Sequence, residues 1–188
     1  MTQPRGRPHP HEPQWVPYVA VVGGSSCSER QAALAREVGR LLAERAALIL
    51  CGGLEGVMEH VSRGASDAGG TVIGLLPGAD RRSGNPYLTW AVATGMGEMR
   101  NALLARAADS LIAIGGGYGT LSEVALALRL GRTVAALDTW RFAPPGETAG
   151  RAGSAAEGWG GRGRLVPCET ALEAVEVAVR AARERWGA

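Results

Sequence analysis

The chain has 188 residues, 46% of them apolar, and a formal net charge of +2. That length fits one domain with a real core. The small charge gives no electrostatic case for nucleic acid or an acidic membrane surface, and no apolar run approaches the ~20 residues of a membrane span. The N-terminus lacks a signal-peptide pattern. Three scattered cysteines, Cys27, Cys51 and Cys168, form neither a metal-ligand spacing nor a disulfide framework. A cytoplasmic protein with reduced thiols and no metal is the expectation.

Residues 1–16 carry Pro4, Pro8, Pro10 and Pro13 and read as a disordered tail, with His9 and His11 as tail residues. The domain is expected over 17–188. Tyr18 to Val22 is a β-branched run, a buried strand, and Gly23-Gly24-Ser25-Ser26 follows it directly. Leu34, Val38, Leu41 and Leu42 have helical spacing, with Ser28 and Gln31 placed as a capping box. The unit then recurs. Leu48 to Cys51 is strand-like, Gly52-Gly53-Leu54-Glu55-Gly56 is a second glycine loop, and Val57 to Ala68 reads as helix, ended by Gly69-Gly70.

Thr71 to Leu76 is a third strand, stopped by Pro77-Gly78. Asp80 to Pro86 is a surface loop with Arg81 and Arg82 as solvated charges, and a short strand falls within Leu88–Ala93. Met96 to Ala107 reads as one helix, with Met96, Met99, Leu103, Leu104 and Ala107 on one face. Ser110 to Ile114 is the most apolar strand. Gly115-Gly116-Gly117-Tyr118-Gly119 follows, and then a helix with Leu121, Val124, Ala125 and Leu128 at helical spacing. Thr133 to Leu137 is a sixth strand. Residues 146–163, rich in Gly, Ala and Arg, read as a flexible loop. Leu165-Val166 predicts an edge strand, and Leu172 to Trp186 a last helix capped by Thr170 and Glu173.

Apolar strands alternating with helices predict a doubly wound parallel α/β sheet covered on both faces. Ligands of such sheets bind beyond the carboxyl ends of the strands. Three glycine loops leave strands there: Gly23-Gly24-Ser25, Gly52-Gly53 and Gly116, Gly117, Gly119 with Thr120. A strand, a glycine loop and a helix start converge backbone N–H groups at the positive end of a helix dipole, which favours a phosphate. Against this, Thr120 and Glu123 also fit a capping box that would only satisfy the helix's own amides. The spacing matches neither a dinucleotide fingerprint nor a P-loop.

Gly116-Gly117-Tyr118-Gly119-Thr120-Leu121-Ser122-Glu123 resembles the Pro-Gly-Gly-x-Gly-Thr-x-x-Glu motif of the LONELY GUY (LOG) family, whose members were long misassigned as lysine decarboxylases. Gly52 to Met58 with Gly64-Ala65 resembles that family's second loop. Glu98-Met99-Arg100 stands at its Met-His-x-Arg-Lys stretch. The resemblance spans about residues 18–140. It implies a single Rossmann-like domain, a homodimer, and hydrolysis of a nucleoside 5′-monophosphate to base and ribose 5-phosphate without a required cofactor. Carried over, Arg100 and Glu123 are the catalytic pair, and Gly116, Gly117, Gly119 and Thr120 hold the phosphate.

Two departures stand out. Gly115 replaces the motif's proline, and Asn101 replaces the lysine after the arginine. The pattern is closer to a sister branch resembling molybdenum cofactor carrier proteins. Its implication is a non-catalytic carrier of that cofactor or a similar phosphorylated ligand, so the departures weaken the catalytic implication more than the phosphate-binding one. Glu123 would stabilise charge on the ribose, and Arg100 would hold the phosphate or steady the carboxylate. Asp80 and Glu98 are candidates for the acid, and Trp90 and Tyr118 for base stacking.

Overall fold

The structure is a computed structural model that describes residues 15–141 and 163–187. Most of the predicted tail and of the 146–163 loop lies outside the described residues. Seven strands form one parallel sheet: β1 (Tyr18–Gly23), β2 (Leu48–Cys51), β3 (Thr71–Leu76), β4 (Trp90–Ala93), β5 (Ser110–Ile114), β6 (Thr133–Leu137) and β7 (Arg164–Cys168). Their order across the sheet is β4-β3-β2-β1-β5-β6-β7. Five helices cover it: α1 (Glu29–Glu44), α2 (Val57–Asp67), α3 (Arg100–Ala107), α4 (Tyr118–Arg129) and α5 (Ala171–Trp186). The doubly wound single domain expected from the alternation is the fold observed.

β5 is buried at every position, because its alternate side chains serve both faces. Ile112 and Ile114 join the core beneath α1, α2 and α5. Leu111 and Ala113 join the opposite core, beneath α3 and α4. β1 and β5 are neighbours in register, Val21 beside Ile112, yet the chain leaves β1 toward α1 on one face and β5 toward α4 on the other. Their exits therefore splay apart. This is the switch point at which an open parallel sheet leaves a crevice. The capping box at Ser28 and Gln31 is present, and Thr170 caps α5 by accepting from the Glu173 amide.

α1 and α2 cross closely where Gly64 meets the Arg36 backbone, and a Cβ there would collide with it. Gly64 is thus a packing residue, not a ligand residue. The predicted helix from Met96 to Ala107 divides instead. Gly95 and Gly97 take φ of +63° and +54°, a 3-10 turn fills Gly97–Met99, and α3 starts only at Arg100. The predicted apolar face of α4 is also rotated. Thr120, Glu123, Val124 and Ala127 are its buried residues, while Ala125 faces solvent.

The sheet is unevenly covered. Three helices pack on one face and two on the other, which leaves the β3–β4 end of the second face open. Ile73 pairs with Trp90 and Leu75 with Val92, so the four share that face. Trp90 is 58% exposed and Val92 44%. Among the described residues no helix is long and apolar enough to cross a membrane.

Candidate functional site

A cavity of about 750 Å³ lies along the carboxyl edge of the sheet. Its walls include Gly23, Gly24 and Ser25 after β1, Gly52 after β2, and Gly116, Gly117, Gly119 and Thr120 after β5, together with Arg100 and Glu123. The structure brings all of these predicted site residues round one space. Gly53 is the exception. It holds φ +75° against Gly74, its carbonyl accepts from the Asn85 amide at 2.9 Å, and it does not line the cavity. Its glycine serves the turn. Trp90, Tyr118 and Asp80 do not line the cavity either. Asp80 caps a short turn and pairs with Arg82 at 2.8 Å, and Tyr118 is 83% exposed.

α4 starts one residue after its N-cap, Gly117, which carries no capping side chain. Thr120 and Glu123 therefore form no capping box. Thr120 is already the third residue of the helix, and its side chain packs beside Gly116. The Gly115 carbonyl accepts from Thr139 Oγ1 at 2.5 Å. The carbonyls of Gly116 and Gly117 accept from the Trp140 indole N–H at 3.1 and 3.3 Å. In a trans peptide, C=O and N–H point in opposite directions. Three carbonyls turned toward Thr139 and Trp140 therefore turn the amides of Gly116, Gly117 and Tyr118 the other way. Among the described residues, no backbone N–H from Gly116 to Thr120 finds a protein acceptor; the first amide of α4 to do so is Leu121, bonded to Gly117 O at 3.0 Å. Five consecutive free donors at a helix N-terminus have the arrangement of an anion nest.

Trp140 escaped the sequence reading. It lies 23 residues from Gly117 and carries no motif. The only available signal was an aromatic with one polar atom just after a predicted strand at the ligand edge. Gly115, where the motif has proline, holds φ +55° over the Gln31 side chain. Proline is fixed near −65° and could not adopt that angle. Gln31 in turn donates to Asp138 Oδ2 at 3.1 Å, so the loop is braced from beneath as well.

The acid–base pair sits deeper. Arg100 Nη1 and Glu123 Oε1 are 3.8 Å apart, and both side chains are more than nine-tenths buried. Arg100 Nε has no hydrogen-bond partner. Gly52 makes room for this guanidinium, since a Cβ there would collide with it. Burial raises the Glu123 carboxyl to about 7, with Arg100 only partly offsetting the shift. Burial also lowers Arg100 from its usual range, against the pull of Glu123 and Cys51. Desolvation outweighs attraction because the pair is close but not hydrogen-bonded. Cys51 is buried and packs against Ser62 Oγ at 3.7 Å, as a core thiol does. Among the described residues no cluster of His, Cys, Asp and Glu could hold a metal ion.

Residues 16–156 match the family model described as SLOG cluster4. The chain belongs to the SLOG cluster4 family. An uncharacterised protein of Archaeoglobus fulgidus is 41% identical to this SLOG chain over 119 residues, 63% of this chain and 78% of that one. The cytokinin riboside 5′-monophosphate phosphoribohydrolase LOG of Oryza sativa subsp. japonica is 39% identical over 111 residues, 57% of this chain. The match spans 45% of that relative's own length. Among solved structures, the Moco carrier protein of Chlamydomonas reinhardtii superposes with a TM-score of 0.70 at 31% identity, over 92% of this chain and 99% of the carrier. The LOG resemblance and its carrier-like branch are therefore both found.

Two measurements follow from this geometry. Trp140→Phe keeps the ring and removes the N–H clamp; calorimetric titration with ribose 5-phosphate should show roughly tenfold weaker binding, the value of one to two lost hydrogen bonds. Glu123 titrates near 4.5 when unfolded and about 7 when folded, so the unfolded state ionises first as pH rises. Its cost to stability is absent below pH 4.5, grows between 4.5 and 7, and is complete above 7. Urea unfolding of Glu123→Gln should exceed wild-type stability at pH 9 by on the order of 3 kcal/mol and match it at pH 4.

Proposed function

We propose that the cavity binds a phosphorylated nucleotide-like ligand and hydrolyses the N-glycosidic bond of a nucleoside 5′-monophosphate, giving free base and ribose 5-phosphate. One observation carries this reading: a buried Arg100–Glu123 pair stands one helical turn beyond five unsatisfied amides. The amides of Gly116 to Thr120 take the phosphate, with the α4 dipole behind them. Glu123 follows Thr120 by three residues, so it lies on the same helix face, one turn deeper, beside the sugar of an anchored nucleotide.

Breaking the C1′–N bond builds positive charge on the ribose ring, as in glycoside hydrolysis. The Glu123 carboxylate stabilises that charge and takes a proton from water as its oxygen bonds to C1′. The bond's electron pair leaves with the ring nitrogen, and the proton returns to the departing base. Arg100 turns Nη1 toward Glu123 and offers the rest of its guanidinium fork to a ligand oxygen. The activity for which the rice relative is named supports the reading, as do the motif positions of Arg100 and Glu123. The reaction requires no cofactor.

The second reading is a carrier of molybdenum cofactor or a similar phosphorylated ligand, bound without turnover. Asn101 favours it. Its neutral amide donates to Ser122 Oγ at 3.3 Å, and Ser122 donates to Gly119 O at 2.7 Å. Among the described residues, Arg100 is then the only cation lining the cavity. The near full-length superposition on the Chlamydomonas carrier supports it too. We further place the protein in the cytoplasm as a homodimer. Free thiols at Cys27, Cys51 and Cys168 support the first, and the open apolar face of Ile73, Leu75, Trp90 and Val92 supports the second.

Incubation with AMP should release ribose 5-phosphate, and Glu123→Gln should slow release at least 100-fold. kcat/KM should climb with pH up to about 7, as Glu123 ionises, and level off above it. Absence of ribose 5-phosphate, or an unimpaired Glu123→Gln, ends the enzymatic reading; saturable binding without turnover then favours the carrier. In sedimentation, wild type should run as a dimer and Trp90→Glu as a monomer.

A further inference from the structure

The cavity extends well past the phosphate nest. Its walls come from the exits of β5, β1, β2 and β3, which lie side by side in that order. Strands are spaced about 4.8 Å apart, so the first and last exits are roughly 14 Å apart. The β5–β1 end is lined by glycine amides. The β3 end is lined by Pro77, with Leu54 and Met58 from the β2–α2 segment, and by Gly97 and Glu98. An apolar slot at that distance from a phosphate site suits a flat ring.

Glu98 is firmly mounted there. The Gly97 amide donates to Pro77 O at 2.9 Å, the Gly95 amide to Gly78 O at 3.0 Å, and Thr94 Oγ1 to Leu76 O at 2.7 Å. These bonds staple the 94–97 segment to the exit of β3 and set Glu98 on the cavity wall. Its carboxylate has no ion-pair partner among the described residues. The one cation lining the cavity among the described residues, Arg100, faces Glu123. The ring end therefore presents the two acceptor oxygens of Glu98, and the nearest cation, the Arg100 guanidinium beside Met58, already faces Glu123.

We infer that Glu98 selects the ring of the ligand by accepting two adjacent N–H donors, the 2-amino-4-oxopyrimidine edge that guanine and pterin rings share. This rests on the phosphate-site reading and adds the ligand class to it. A carboxylate takes such an edge in two parallel hydrogen bonds. Adenine offers one donor beside an acceptor nitrogen, so the second oxygen would face a lone pair. Uracil sets its single N–H between two carbonyls, and both carboxylate oxygens then meet repulsion. A bidentate pair of this kind discriminates between bases by about ten- to a hundredfold.

The test titrates the full chain with ribose 5-phosphate, AMP, UMP, GMP and a 6-(phosphooxymethyl)pterin, each followed by calorimetry. Ribose 5-phosphate serves as the reference for every variant, because it stops short of the ring end. GMP or the pterin should bind wild type at least tenfold tighter than AMP, and the tighter of the two identifies the source of the edge. Glu98→Gln, whose amide offers one donor and one acceptor, should bring the preference over AMP to within about threefold. Binding of ribose 5-phosphate with no such preference, or a preference that survives Glu98→Gln, overturns the inference alone. No binding of ribose 5-phosphate overturns the phosphate site and the inference together.

Discussion

The site depends on a helix that begins without a cap. α4 follows three consecutive glycines and holds a fourth in its first turn, and no side chain bonds back to its first amides. Such donors are costly when buried and unpaired. Here they open onto a cavity, and their direction is fixed from outside by Thr139 and Trp140. The clamp acts on carbonyls, so it orients the donors without occupying them. A loop of glycines alone would sample many peptide orientations; this one is held in an orientation that suits an anion.

A second cost is concentrated a turn away. Arg100 and Glu123 are buried 3.8 Å apart without a hydrogen bond between them, which is weak compensation for two desolvated groups. Well-packed apolar residues would be more stable at both positions. Gly52 gives up its own side chain to admit the guanidinium. The arrangement makes physical sense if a ligand supplies the missing partners: an anion or hydroxyl for the Arg100 guanidinium, and water or sugar for Glu123. A carboxyl near 7 is also well matched to moving a proton at neutral pH.

Much of this was readable in the sequence, and the failures have definite causes. Strand runs such as Val19–Val22 and Leu111–Ile114 are apolar on both faces, so they announce a covered parallel sheet. The glycine loops then fall at its carboxyl edge by topology alone. The Ser28–Gln31 cap was legible because both partners lie within one turn. Thr120 and Glu123 have the same spacing, which leaves a capping box open beside a ligand role; the N-cap falls at Gly117 instead, three residues before Thr120, and both side chains are buried. The Met96–Ala107 spacing predicts too long a helix because the apolar periodicity hides Gly97, whose left-handed φ, like that of Gly95 just before the range, keeps α3 from starting before Arg100. Trp140 and the packing role of Gly53 depend on tertiary neighbours, and local pattern carries no trace of them.

The enzyme and carrier readings share the nest and part at the proton. Holding a phosphorylated ligand needs the free amides, the helix dipole and one arginine, all of which this loop provides with Asn101 in place of a lysine. It does not need a carboxyl buried beside the site; a carboxylate near a phosphate opposes binding unless it is protonated. Raised to about 7, Glu123 is poised between the two states, and a phosphate dianion a helical turn away pushes it further toward the protonated one. A pure carrier would gain affinity by replacing it with glutamine, which has the same shape and no charge. An acid where an amide would bind better suits a group that acts through its proton, and that asymmetry favours the proposed hydrolysis over the carrier reading.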